Sequence, residues 1–282
     1  MAQIKGVFVY SDYPSISLSI PEIINYLRDH GLSCEDRGNF FEFLDPTRVK
    51  ALELARRIAG ARVLDITSPL DGIHEPTYEE IDLEISRLTG KGSFLGVLYD
   101  GFWLQRILYK NMAVKVPHEF RSGFIHVIFT SRLFGTYETS GSLNTLPLDP
   151  RPDRGYPRSR RYHARVILTG LPSLISTSGI VEAPARPKEY YWLKAGFIQA
   201  GKDLGELDQI YKGRFIEYDD PRLTSVLAPY ALKAIFYEIN GNPFCDNPSC
   251  CLFNSHWQEE VLKAQIGKKL CERHRDTIFR LV

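Results

Sequence analysis

The sequence predicts a mixed α/β (α+β) fold, and three observations predict it. Short β-branched and aromatic runs alternate with amphipathic helical segments through the first third of the chain. The strongest long helical pattern, Leu223 to Ile239, stands in the last third. Beyond it, residues 241–282 hold four of the five cysteines. Strands alternating with helices indicate a partly parallel layer, and clustered cysteines indicate a local fastener rather than a larger core.

Taken in order, Gly6 to Tyr10 (GVFVY) reads as a first strand. Ser19-Ile20-Pro21 opens a helix, with Ser19 or Ser17 as cap and Pro21 in the first turn, where its missing N–H costs nothing. Ile23, Ile24, Tyr26 and Leu27 form the apolar face and Gly31 the stop. Asn39 to Leu44 (NFFEFL) reads as a strand, and Asp45-Pro46 as the cap of a helix running to Gly60. Ala61 to Ile66 is strand-like. Tyr78 to Leu88 is an acidic helix whose expected buried side is Ile81, Leu83, Ile85 and Leu88. Ser93 to Tyr99 and Phe124 to Ser131 read as strands, and Arg132 to Thr136 as turn.

From Thr139 to Arg161 the composition shifts to Gly, Pro, Ser and Arg. The expectation is a long solvated loop; its Arg151, Arg154, Arg158, Arg160 and Arg161 are diluted by Asp149 and Asp153 and lack an aromatic platform for nucleic acid. Ala164 to Thr169 and Ser173 to Val181 are β-rich, and Pro184 and Pro187 confine the next stretch to an edge or a loop. Tyr190 to Ala200 and Leu204 to Leu207 read as helices. In the Leu223 to Ile239 helix, Pro229 is expected to start the regular part.

Composition bounds the function classes. The 282 residues suffice for one large domain or two smaller ones, and 44% hydrophobic with 24% charged residues is ordinary for a globular protein. With 35 basic and 34 acidic residues, nothing points to a polyanion or a membrane surface. No apolar run reaches the roughly 18 residues of a membrane span, and Met1 to Tyr10 shows no signal-peptide pattern. A cytoplasmic location is the resulting expectation, and there clustered cysteines hold metal more often than they form disulfides. Cys34, far from the cluster, is expected to be a small buried hydrophobe.

The cluster has metal-ligand spacing: Cys245-x4-Cys250, then twenty residues, then Cys271-x2-His274. A structural Zn2+ takes four soft or borderline donors in a tetrahedron, usually as two close pairs from separate segments. Cys245, Cys250, Cys271 and His274 supply them all, so the site is closed. Cys251 is an alternate for Cys250, and His256 for His274.

These residues resemble the C-terminal half of the archaemetzincin signature, in which a helix bearing HExxHxxGxxH runs into C-x4-C-x-M and then C-x2-C. Cys245 and Cys250 match the first pair, Leu252 stands at the methionine, and Cys271 with His274 match the second pair, with a gap one residue longer. Gly241-Asn242-Pro243-Phe244-Cys245 matches the family's Gly-x-Pro-His-Cys except at Phe244. The whole chain also resembles an archaeal family described as metallopeptidases related to archaemetzincins. The resemblance implies an N-terminal α/β region over 1–115, packed on a metzincin-like region over 116–282 that includes a zinc staple at 241–282.

The catalytic half does not match. Aligned without gaps, the three zinc-binding histidines fall on Ala234, Glu238 and Phe244, and the general-base glutamate on Ile235. A gapped alignment puts Tyr237-Glu238 in place of His-Glu. Neither supplies a histidine, and a catalytic zinc needs about three protein ligands to activate its water. Elsewhere, His74-Glu75 and His118-Glu119 lack a following histidine. His126 and His163 lie on expected strands where they could converge, and Asp100, Glu182 and Glu238 are candidate cleft carboxylates. The expected function is therefore a pseudo-peptidase with one structural zinc that binds a protein or peptide ligand. The alternative is a divergent zinc metallopeptidase with Glu238 as general base. A nucleic-acid binder is disfavoured by the near-neutral charge.

Overall fold

Alternate residues of the first strand point into two different cores. In the computed structural model, which describes residues 4–12, 17–44, 47–90, 96–138 and 160–280, strand β1 (Gly6–Ser11) sends Val7 and Val9 to one face and Phe8 and Tyr10 to the other. Because side chains alternate along a strand, a strand apolar at every position must be covered on both faces. Helix α1 (Ile20–Arg28) packs on the Val7/Val9 side. It is capped by Ser19, whose Oγ accepts from the Glu22 N–H at 3.4 Å, and Gly31 follows it at φ +78°.

Strand β2 (Cys34–Asn39) carries the sequence CEDRGN and pairs in parallel with β1. The NFFEFL segment is a helix rather than a strand. Asn39 ends β2, and its Oδ1 accepts from the N–H groups of Phe41 (2.8 Å) and Glu42 (3.1 Å), so helix α2 (Phe40–Leu44) starts there and buries Phe40 and Phe41. Helix α3 (Arg48–Gly60) is capped by Thr47; Asp45 and Pro46 lie outside the described residues. Ala61 to Ile66 forms no strand. It makes a single antiparallel bridge, Arg62 to Tyr99, and leaves Leu64 and Ile66 exposed.

Helix α4 (Tyr78–Leu88) forms as expected, with a Thr77/Glu80 capping box, but its burial is inverted. Glu84 and Arg87 are buried, while Ile81, Leu83, Ile85 and Leu88 are only partly covered. The cause is a buried polar network in which Arg62, Tyr99 and Arg132 surround Glu84. Of the expected Ser93–Tyr99 strand, residues 93–95 lie outside the described residues and Gly96 and Val97 are not strand, so strand β3 (Leu98–Asp100) starts later and runs one residue further. It feeds helix α5 (Gly101–Lys115).

Strand β4 (Phe124–Thr130) lies beside β1 in parallel, Gly6 opposite Phe124. The stretch from Arg132 is not merely a turn, because β5 (Leu133–Glu138) pairs in parallel with β3 and antiparallel with β6 (Arg161–Arg165). Residues 139–159, with Arg151, Arg154 and Arg158 of the expected loop, lie outside the described residues. After β7 (Ile167–Leu168) and β8 (Ser173–Ser176), the first sheet has the order β2-β1-β4-β8-β7 and the second β3-β5-β6. β1 and β4 are neighbours, so the first sheet draws strands from both sides of position 115.

Helix α6 (Gly179–Glu182) is short, and the proline-bearing stretch after it makes one bridge, Ala185 to Trp257. Helices α7 (Lys188–Gln199) and α8 (Leu204–Ile210) form a hairpin with its own small core of Tyr190, Leu207, Tyr211 and Phe215. Helix α9 (Leu223–Asn240) packs with α1 on the β1–β4–β8 sheet. It starts at Leu223, with Pro229 inside it. An interior proline costs a helix about 3 kcal/mol, and here burial of both flanks of the proline, from Val226 to Phe236, offsets that. Helices α10 (Gln258–Gln265) and α11 (Glu272–Phe279) close the chain. Among the described residues no helix is long and apolar enough to cross a membrane.

Candidate metal centre

The turns after α9 deliver the first pair of donors. Gly241 adopts φ +74°, the left-handed conformation that ends a helix at little cost only for glycine, and its N–H returns to the Tyr237 carbonyl at 2.7 Å. Asn242 Oδ1 then accepts from Phe244 N–H (3.0 Å), and Cys245 N–H donates to the Leu252 carbonyl (3.0 Å), closing a loop around Asn247. The Cys250 N–H reaches the Asn247 carbonyl at 3.0 Å. Local asparagine turns therefore fold the x4 spacing so that both sulfurs face the same way.

The second pair arrives because Cys251 N–H donates to Lys269 O at 2.7 Å, pinning the two segments side by side. Cys271 is the N-cap of α11 and His274 lies in its first turn. The ring of Phe236 meets the imidazole edge-on, centroids 4.9 Å apart, and fixes its plane.

The four donors converge. Cys245 Sγ lies 3.9 Å from Cys271 Sγ, Cys250 Sγ lies 3.8 Å from His274 Nδ1, and Cys271 Sγ lies 3.1 Å from that nitrogen. All four ligand atoms fall within 4.8 Å of one another. A tetrahedral zinc with Zn–S bonds of about 2.3 Å sets its sulfurs about 3.8 Å apart, so the residues fit such an ion. Two backbone N–H groups point at the sulfurs, Asn247 to Cys245 and Cys271 to Cys250, both at 3.4 Å, where they favour thiolate.

Burial and crowding oppose that preference as long as no cation is bound. Burial pushes the Cys245 thiol up to about 11, and the Cys250 thiol is raised first by its hydrogen bond to Cys251 and then by burial. His274 is lowered by burial and by Arg273. Three crowded sulfurs resist ionising together. A dication among them reverses that preference, because metal–thiolate bonding drives the protons off. Cys271 is only partly buried, and a depression of about 400 Å³ borders it and Cys245, giving an ion a route in.

Other sequence candidates lie elsewhere. Cys251 is buried 3.7 Å from the Tyr26 hydroxyl, and His256 is exposed, its N–H donating to Glu260; neither joins the cluster. Glu238 sits exposed on the last turn of α9. Asp100 caps α5 and accepts from the Tyr162 hydroxyl at 2.7 Å, while Glu182 accepts from Tyr218 at 2.8 Å. His74 lies 3.7 Å from Glu80, and His118 is largely exposed beside Glu119. Cys34 is buried, as a small hydrophobe should be.

His126 and His163 do not converge, since they occupy different sheets. His126 is fully buried, with Nδ1 3.0 Å from the Tyr10 hydroxyl and Nε2 3.7 Å from Glu119. Burial, then the charge of Arg37, pushes it down to about 4. Unfolding frees it to titrate near its ordinary value of about 6.5, so the unfolded chain binds the extra proton between those values. Stability from this group is therefore complete above about pH 6.5 and drains as pH falls towards about 4, by on the order of 3 kcal/mol. Urea unfolding across that range, compared with His126→Gln, should show the steeper loss in the wild type. Parallel profiles would refute it.

Sequence reasoning missed Lys233. Its ammonium is buried on α9, donates to the Phe253 carbonyl at 3.1 Å and lies 3.9 Å from the centre of the Tyr230 ring. Burial pulls it down to about 7. A lysine in the middle of an otherwise apolar stretch of the helix was the available signal.

A family model described as a probable metallopeptidase family (DUF6775) matches residues 3–142 and 156–281. The chain belongs to that family. No curated protein and no solved structure matches it. For this family member, the Cys245–Cys250–Cys271–His274 group is the one place among the described residues where three or more His, Cys, Asp or Glu donors converge.

Proposed function

We propose that this chain is a pseudo-peptidase, a zinc-stapled scaffold that binds a protein or peptide ligand without hydrolysing it. One observation carries the reading: four protein donors converge, and a tetrahedral ion held by all four would have no position left for the water that a hydrolytic zinc must activate. The resemblance to archaemetzincins supports it. In that alignment α9 takes the place of the catalytic helix, and Gly241 turns the chain where the family's glycine stands. The histidine and glutamate positions are then occupied by Ala234 and Ile235, both buried in the core, by exposed Glu238 and by half-buried Phe244. On this reading the metzincin-like region is 116–282, with 241–282 as its staple and 1–115 as the α/β region beside it. A reducing, cytoplasmic setting, where clustered cysteines hold metal more often than they pair, is part of the same reading.

Elemental analysis of purified protein should give one tightly held zinc per chain, and a broad peptide-library screen should detect no cleavage. The family description favours the alternative of a divergent zinc metallopeptidase. That alternative wins if a second zinc is found, or if cleavage is detected and Glu238→Gln abolishes it while the fold survives.

A further inference from the structure

The α7–α8 hairpin presents an apolar surface that the other described residues do not cover. At helical spacing, Tyr191, Ala195 and Ile198 lie along one stripe of α7 with Trp192 beside it. Trp192 is 70% exposed, Ile198 60% and Tyr191 50%. On α8, Ile210 is 56% and Leu204 37% exposed. Single exposed apolar residues need no explanation, but neighbours along one face of α7, with two more on α8, mark an interaction surface, and tryptophan and tyrosine are favoured anchors at interfaces.

Charge decides what fits there. Through α7 and the turn after it, the basic residues are Lys188, Lys194 and Lys202, against the single acid Glu189. Helix α8 reverses the sign: Asp203 caps it, Glu206 and Asp208 lie on it, and no basic residue appears before Lys212. Among the described residues none of these lysines or carboxylates forms an ion pair within the chain, although the chain pairs many of its other charges. A surface basic on one helix and acidic on the next complements itself. A twofold axis laying α7 of one copy against α8 of another would pair both sets at once and bury both apolar faces, as an isologous interface requires. An anionic membrane fits only half of the hairpin, because the α8 carboxylates would repel it.

We propose that the α7–α8 hairpin is a self-association surface whose partner is the same hairpin of a second copy of this chain. The docked pair forms a four-helix arrangement with Trp192 near its centre and lysine–carboxylate pairs at its rim.

Sedimentation velocity on the full chain over a concentration series tests this. The wild type should pass from the 32.2 kDa monomer to a dimer as concentration rises. Trp192→Asp, at an exposed position that the fold does not need, should weaken dimerisation roughly tenfold or more, with the circular dichroism spectrum and zinc content unchanged. Lys188→Glu/Lys194→Glu should weaken it too, and adding Glu206→Lys/Asp208→Lys in the same chain should restore it. A wild type that stays monomeric at its highest soluble concentration overturns the proposal. So does a dimer indifferent to Trp192→Asp, a charge swap that fails to rescue, or binding to anionic vesicles by a chain that remains monomeric.

Discussion

Cys245→Ser is expected to release the zinc and unlatch the end of the chain, with the rest of the fold left standing. The anchors of the C-terminal segment are unequal. Helix α10 is held independently of metal: Gln258 Nε2 donates to the carbonyls of Ile180 (2.9 Å) and Val181 (3.0 Å), and Gln265 Nε2 donates to Cys251 O (3.1 Å). Helix α11 has far less, since only His274 and Ile278 on it are buried, and His274 is itself a donor of the centre. Structural zinc contributes on the order of 10 kcal/mol to folding in small isolated sites. In this chain most of that would hold α11 and the 245–250 loop, so global stability should fall by less, about 2–4 kcal/mol. Protease sensitivity should appear near residues 266–272, and amide exchange in α11 should rise to the unprotected limit. A chelator should reproduce both effects in the wild type. Cys34→Ser and Cys251→Ser should retain the metal, because neither side chain joins the cluster. Full zinc content and unchanged proteolysis in Cys245→Ser would remove the basis for the staple.

The parts of this structure that were legible in the sequence are those whose cause is local. Four donors at close spacing announced the centre because metal chemistry fixes residue type and separation. β1, β4, α1 and α9 were legible because apolar periodicity reports a covered face. Other elements have their cause elsewhere in the chain. The polar CEDRGN of β2 becomes a strand only through pairing with β1. Arg132 to Thr136 reads as a turn around Gly135, yet that glycine lies in β5 where β6 comes closest: a Cβ there would stand 2.8 Å from the His163 carbonyl oxygen. The strand is set by a neighbour that comes after a long intervening segment. Glu84 misled for the same reason. A charge on a helix is ordinarily solvated, and nothing near it in sequence reveals that Arg62, Tyr99 and Arg132 surround it. The site shows the same division: the convergence of Cys245, Cys250, Cys271 and His274 could be read from their spacing, whereas the positions of Glu238, His126 and His163 depended on how the elements assemble.

Glu84→Gln should therefore be the most damaging change away from the metal centre. Glu84 is fully buried; its Oε1 accepts from Arg62 (2.7 Å), Arg87 (3.2 Å) and the Tyr99 hydroxyl, and its Oε2 from Arg132 (3.1 Å). Arg132, also buried, donates in addition to Asp12 Oδ2 at 2.9 Å. Arg62, Arg87 and Arg132 face Glu84, Asp12 and the more exposed Glu80, so removing the charge at the centre leaves buried cations in excess that desolvation makes expensive. Breaking a buried pair from one side costs about 3–5 kcal/mol, a large share of the roughly 5–15 kcal/mol that holds a typical domain. The pH dependence carries the same signature. Burial alone would raise the Glu84 pKa, but the charge of Arg132 and the hydrogen bonds from Arg62 and Tyr99 outweigh it and hold the carboxyl below its ordinary range. The unfolded chain then takes up the proton first. Stability from Glu84 is complete above the ordinary carboxylate pKa and is lost as pH falls through and below it. Wild-type stability should thus drop steeply on acidification, whereas Glu84→Gln should start lower and fall less over that range. Adding Arg132→Met should recover part of the loss, because it removes one stranded cation, and the double-mutant cycle measures the coupling directly. Additive effects of the two substitutions, with parallel acid profiles, would mean that Glu84 and Arg132 do not act as a pair.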